Sequence, residues 1–480
     1  MKTRFLLVLT CLQAGAAYSQ DIISQKTQQV ETGLLPAVYI EGRPHAVYKL
    51  ADRMAHYKVP AVSIAFINHG RIEWAKAYGY LSEEQQVKAD TLTLFQAASI
   101  SKPITSALLY KLAAQGNVAL DEDVNKYLRN WKLKPSPFTA KKPVTLRGLL
   151  THTAGLSVEG FHGYAQGSPL PTTVQILNGE PPANSAPVVS IAEPGTGYRA
   201  SGGGYVVVKQ AVEDVTSHPF ATVIKDLVLK PAGMVHSTYE QPLPPQFHQQ
   251  AAAAHDVNGH MLPGRWHTMP EVAPDGLWTT PADLARFLLT LTQSLEDGYD
   301  ALLTQEQTRE MLYARENMGM WQHRDPSHGW YGSGHNDGYN AEMLMFPDKG
   351  QGIVVMTNGD YGRRLSNEII RGAARVYHWE RPRPATQTVI KLDAQTLQDY
   401  AGTYGMEGLP YHVKIAVEGD HLRATLTLDN TESVLYPASK ERFFSPEEGR
   451  EVTFLTAEDG TVTGLAAGPA RLQKMPAAGK

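Results

Sequence analysis

Phe95-Gln96-Ala97-Ala98-Ser99-Ile100-Ser101-Lys102 is the stretch on which the reading of the fold turns. Beyond it Leu108, Leu109 and Leu112, with Ala107 and Ala113 beside them, recur at helical spacing, so a helix is expected from about Ser99 to Gln115. Residues three apart share a helix face, which brings Ser99 and Lys102 together near one turn. A serine at a helix N-terminus lies among free N–H groups that favour developing negative charge. A lysine buried beside it loses its proton more easily and can then serve as a base. The same four residues also read as a capping serine followed by a solvated lysine, and Ser-x-x-Lys alone does not separate the two.

Working outward, Val62-Ser63-Ile64-Ala65-Phe66-Ile67 alternates, Asn68-His69-Gly70 turns and Arg71-Ile72-Glu73-Trp74-Ala75-Lys76 returns, the pattern of a β-hairpin. Tyr205 to Val215 and Ala221 to Leu229 read as helices. Thr280-Pro281-Ala282-Asp283 opens another, with a threonine cap, proline at the first helical position and an acid three residues after the cap. Met343 to Phe346 and Ile353 to Met356 flank the turn Pro347-Asp348-Lys349-Gly350. Residues 37–379 therefore read as one mixed α/β domain. Arg381-Pro382-Arg383-Pro384 begins a stiff linker over 380–390. Short alternating runs such as Tyr411 to Ile415 and Leu422 to Leu426 make 391–480 a small all-β domain.

The 480 residues carry 44 Lys+Arg against 48 Asp+Glu, so there is no basic footprint for nucleic acid. A charged fraction of 19% with 42% hydrophobic residues argues for a folded chain. Lys2 and Arg4 precede the apolar run Phe5 to Leu9, and small residues lead to Ala17-Tyr18-Ser19, the three-part pattern of a secretory signal spanning 1–19. Export to the periplasm or medium is expected, with a lipid anchor at Cys11 the less favoured alternative. No other run is apolar enough to span a membrane. Cys11 is the one cysteine, which excludes a disulfide framework, a thiolate zinc cluster and, once the signal is cut, a thiol nucleophile.

The neighbourhood of Ser99 resembles the serine β-lactamase and penicillin-binding-protein superfamily, in particular its class C-like branch of β-lactamases, DD-peptidases, D-aminopeptidases and esterases. The resemblance covers most of residues 45–380. It rests on Val59-Pro60-Ala61-Val62, Phe95 to Lys102, Leu120-Asp121-Glu122-Asp123-Val124, Leu149-Leu150-Thr151-His152-Thr153-Ala154-Gly155-Leu156, Glu193-Pro194-Gly195-Thr196, Lys230-Pro231-Ala232-Gly233-Met234, Gly276-Leu277-Trp278-Thr279-Thr280 and Val354-Val355-Met356-Thr357-Asn358, in family order. The implied fold is an α/β (α+β) β-lactamase-like one: an antiparallel sheet flanked by helices plus an all-helical subdomain. Tyr400-Ala401-Gly402-Thr403-Tyr404 is similar to the lipocalin-like β module that often follows such hydrolases.

By this resemblance Ser99 is the acylated nucleophile and Lys102 its base partner. The family's second motif, Tyr-x-Asn or Tyr-Ser-Gly, falls at Ala200-Ser201-Gly202, with alanine where the proton-shuttling tyrosine belongs. Tyr198, two residues away, is a possible substitute or a packing residue. The third motif, Lys-Thr-Gly or His-x-Gly, falls at Gly332-Ser333-Gly334, where glycine replaces the cation. In that register the backbone N–H of His335 joins that of Ser99 as the oxyanion hole; a one-residue gap would instead give His335 the cationic role. The seven- and five-residue spacings of His248, His255, His260 and His267 match no metal motif, and His152 is read as structural.

The expected activity is that of a serine hydrolase acting on a small-molecule or short-peptide substrate: a β-lactam, a D-amino-acid peptide or a small ester. No metal or organic cofactor is implied. Without the tyrosine, amides, whose leaving amine needs a proton, are expected to suffer more than activated esters. The rival expectation is a catalytically impaired relative that binds a cell-wall fragment or a partner. The oligomeric state is left open.

Overall fold

The structure, a computed structural model, describes residues 20–476 apart from 83, 85, 297, 299–301, 314–320, 323–328, 407–411 and 429. The expected signal therefore lies outside the described residues. No helix among them is long and apolar enough to cross a membrane. The chain divides into two compact units, one running from Met54 to Ser366 and the other made of the two ends, up to Arg53 and from Asn367.

The Met54–Ser366 unit is built on a seven-stranded antiparallel sheet, with strands in the order 87–88, 71–82, 61–68, 351–357, 339–346, 330–336 and 321–322. The hairpin expected at Asn68-His69-Gly70 forms, with Asn68 paired to Arg71. Ala61–Asn68 and Tyr339–Phe346 are buried at every position, so the alternation read in the first is not an inside–outside pattern: both of its faces are covered. The helix capped by Thr280, whose side chain accepts from the Asp283 N–H, packs against the central strands.

Helices and long loops make up the rest of this unit, and one of the helices is central. A short 3-10 turn, Ala98–Ile100, leads into the helix Ser101–Ala114, of which every residue from Ser101 to Tyr110 is buried. A helix apolar nearly all round has to sit inside a domain rather than on it. Pro103 is tolerated because first-turn N–H groups have no intrahelical acceptor. Polar first-turn residues buried this deeply need partners, and those partners define the site.

In the other unit, eight strands between Gly402 and Lys474 close into an antiparallel barrel. Its interior is filled: Tyr400 stacks on Phe454 with centroids 4.3 Å apart, Phe443 meets Phe454 edge-on at 5.2 Å, and Leu422, Leu435 and Leu465 complete the cluster. Val38–Ile40 pairs in parallel with Ala385–Gln387, so the proline-rich stretch read as a linker carries a strand. Arg53 donates from Nε and Nη2 to both oxygens of Glu368, at 2.8 and 2.7 Å, and also pairs with Glu447 at 3.1 Å. With side-chain exposures of 7% and 0%, Arg53 and Glu368 form a buried pair, and Glu447 is a second, more exposed partner of Arg53. Glu368→Ala, which removes the buried partner, is expected to cost about 3–5 kcal/mol in urea unfolding; a loss under about 1 kcal/mol would show that the remaining partners suffice.

Candidate active site

The first turn of the Ser101–Ala114 helix grips the chain segment 273–277. Thr105 Oγ1 donates to the Ala273 carbonyl at 2.9 Å, and the Leu277 N–H donates to Ser101 Oγ at 3.1 Å. Asn336 Nδ2 donates to the Asp275 carbonyl at 3.2 Å and to Gln96 Oε1 at 2.7 Å. The Ala97 N–H donates to the Leu277 carbonyl at 2.8 Å. Between these ties the side chain of Asp275 is pressed against Ser99.

Lys102 Nζ donates to Ser99 Oγ at 2.7 Å and lies 3.3 Å from Asp275 Oδ1. Ser99 Oγ donates to the same Asp275 oxygen at 3.1 Å. Lys102 also reaches the Pro274 carbonyl at 3.4 Å and stands 5.9 Å from the ring centroid of Tyr205. Asp275 and Lys102 are 5% and 8% exposed, while Ser99 is half-buried, so the serine lies at the more open edge of a nearly dry pair. Ser99 and Lys102 thus meet as their spacing predicts. Asp275 was not singled out in the sequence: it directly precedes the matched stretch Gly276 to Thr280 and looks there like any loop acid. The one signal was an acid interrupting a segment that runs apolar on either side, Val272-Ala273-Pro274 and Leu277-Trp278.

The strand Trp330–Asn336 runs alongside. A Cβ on Gly334 would stand 2.2 Å from the Ala97 carbonyl oxygen and 3.0 Å from the Ser99 nitrogen, so only glycine lets the strand lie this close. Ala98, between those two residues, is held at φ +48°, a strained value for a residue with a side chain. Gly332 shares the inward face with Gly334, and a Cβ there would lie 2.5 Å from the Met343 methyl. Met343 thus occupies the space into which a lysine or histidine at position 332 would have to project. Ser333 points to the other face, donating to Glu342 Oε1 at 2.6 Å, and Glu342 pairs with Arg363 at 3.2 Å. Burial pushes the Glu342 carboxyl up to about 7. The His335 ring, 53% exposed, lies 3.6 Å from Asp360.

Ala200 is a half-buried loop residue just before the helix Gly202–Thr216. Ser201 caps that helix, accepting from the Gly204 N–H at 2.9 Å and donating to the Ser157 carbonyl at 2.7 Å. A Cβ on Gly202 would press on the Phe161 ring at 3.0 Å. Tyr198 is 51% exposed and stands edge-on to the His152 ring, centroids 5.5 Å apart. His152 accepts from the Ser201 N–H at 3.0 Å, and burial, then the charge of Lys102, pushes its pKa down to about 3, so it stays neutral. Tyr205 donates to the Leu150 carbonyl at 2.8 Å.

With this geometry in place, comparison with known proteins identifies the chain. Residues 49–376 match the Beta-lactamase family model, and the chain belongs to the β-lactamase family, a family of serine hydrolases. Residues 386–474 match a domain of unknown function (DUF3471). Protein flp of Staphylococcus aureus is 25% identical over 322 residues, 62% of this chain and 60% of that protein, so the match spans about three-fifths of that relative. Penicillin-binding protein 4* of Bacillus subtilis is 23% identical over 420 residues, 81% of this chain and 89% of that one. Among solved structures, the octameric penicillin-binding protein homologue from Pyrococcus abyssi shares the fold at a TM-score of 0.55 and 20% identity, covering 88% of this chain and 98% of its own. The D-amino acid amidase from Ochrobactrum anthropi SV3 does so at 0.56 and 19%, covering 68% and 96%.

A second acid lies behind the site. Glu271 is fully buried, and neither carboxyl oxygen has a hydrogen bond of good geometry, although Tyr164 stands close enough to oppose the shift. Burial, reinforced by the charge of Asp275, pushes its carboxyl up from the usual 4.5 to about 8. The folded protein therefore keeps a proton that the unfolded chain releases above 4.5, and stability falls as pH rises toward 8. Glu271→Gln is expected to flatten the decline of Tm between pH 5 and pH 8; an unchanged slope would place the titration elsewhere.

Proposed function

We propose that the protein is an exported serine hydrolase that forms an acyl-enzyme at Ser99 on small esters whose acyl group carries no carboxylate. The observation that carries the reading is the contact of Ser99 Oγ with both Lys102 Nζ, at 2.7 Å, and Asp275 Oδ1, at 3.1 Å. A serine hydroxyl held between a cation and a carboxylate has what a nucleophile needs, a destination for its proton and a charge to steady the alkoxide. The oxyanion of the tetrahedral intermediate would be held by the N–H groups of Ser99 and His335. Export rests on the leader pattern over 1–19.

Two features support esters over anionic substrates and amides. A β-lactam or a peptide C-terminus brings a carboxylate, which calls for a cation beyond Lys102. Here Gly332 offers none and Met343 fills the space, while Asp275 adds a negative charge beside the nucleophile. With Ala200 in place of a tyrosine, a leaving amine lacks one source of its proton, whereas an activated alcohol leaves without help.

Purified protein is expected to hydrolyse p-nitrophenyl acetate faster than penicillins or peptides ending in D-Ala-D-Ala, with the activity abolished in Ser99→Ala. Comparable turnover of penicillins would overturn the substrate assignment. Labelling of Ser99 by a fluorophosphonate with no turnover of any ester would favour the impaired-relative reading.

A further inference from the structure

We propose that Asp275, not Lys102, takes and returns the proton of Ser99, so that the site works as a serine–aspartate pair with a lysine that stays charged. This deepens the serine-hydrolase reading and rests on it.

The distances carry the argument. Asp275 Oδ1 lies 3.1 Å from Ser99 Oγ, within reach of its hydroxyl proton, and Lys102 Nζ lies 2.7 Å from Ser99 Oγ and 3.3 Å from the same Asp275 oxygen. A carboxylate oxygen at this distance accepts a hydroxyl proton directly, and a lysine close to both oxygens is placed to steady the alkoxide.

Placement agrees. Asp275 is 5% exposed, and its backbone is fixed on both sides by Thr105 at Ala273, Asn336 at its own carbonyl and Ser101 at Leu277. The charged and titratable groups near this carboxylate include Lys102, the buried Glu271 and the buried Tyr239, with Ser99 in direct contact. Burial, and after it the charge of Asp275, pushes the Glu271 carboxyl up to about 8. The proton-handling group absent at Ala200 thus has a counterpart reaching the same serine from the 273–277 segment.

The steps balance. As Ser99 Oγ bonds to the ester carbonyl carbon, its proton passes to Asp275 and the carbonyl electron pair moves onto oxygen. Collapse of the intermediate breaks the bond to the alcohol oxygen, which takes the proton from Asp275. In the second half, water gives its proton to Asp275 as it bonds to the acyl carbon. Ser99 Oγ leaves and recovers that proton. Ester and water become acid and alcohol, with nothing oxidised or reduced.

The test uses the full chain and two readouts, p-nitrophenyl acetate turnover and the rate of fluorophosphonate labelling of Ser99 by intact mass. Asp275→Asn keeps the shape and removes the base. It is expected to slow both by about 10²–10⁴-fold, the usual scale of general-base catalysis, in protein shown by its Tm to be folded at the assay temperature. Asp275→Gly is expected to fall as far and to recover at least about tenfold on addition of formate, a base that a merely structural vacancy would not use. Asp275→Asn within about threefold of wild type overturns the assignment in favour of Lys102; if the asparagine variant does not fold, the absence of formate rescue in Asp275→Gly overturns it equally. Wild-type protein without Ser99-dependent labelling would instead remove the hydrolase reading itself. That outcome is distinct from an active enzyme indifferent to position 275.

Discussion

Everything at the site depends on the grip of one buried helical turn on a loop distant in sequence. Ser101 and Thr105 lie on the first two turns of a helix with almost no exposed surface, and their hydroxyls have to find acceptors or donors inside the protein. They find them on residues 273 and 277, at separations of 168 and 176 positions. Satisfying those buried hydroxyls fixes the backbone between, and so the Asp275 carboxylate arrives at Ser99 as a by-product of hydrogen-bond saturation in the core. Lys102 is then held in place by that carboxylate, the serine and the Pro274 carbonyl.

The electrostatics around Ser99 follow in part from which neighbours burial leaves neutral. His152 is kept uncharged by desolvation and by Lys102, and Glu271 by desolvation and by Asp275. Among the described residues, that leaves Lys102 and Asp275 in contact beside Ser99, which is half-buried.

Much of the fold was legible because its signals are local. The hairpin at Asn68-His69-Gly70, the threonine cap at Thr280 and the serine–lysine turn are all read from residues within a few positions of one another. The small all-β region was visible as alternation between turns, whereas its closure into a barrel depends on which strands pair, which no local pattern states. At the site, the motif register named Gly332, Ser333 and Gly334, and the structure shows which face each takes. Asp275 stayed hidden because its role is made by tertiary contact: nothing within ten residues of it shows that Ser99 is its neighbour. The carboxylate that reaches Ser99 was therefore not readable in the sequence.

The methyl of Met343 against Gly332 also bears on how this site could have changed over time. A lysine or histidine introduced at 332 would collide with Met343, and shrinking Met343 alone would leave a hole beside a glycine with nothing to fill it. The two residues are cross-strand partners, Gly332 opposite Met343, so substitutions at the two positions are expected to couple: a side chain at 332 is accommodated to the extent that the Met343 methyl, the end of a flexible side chain, gives way.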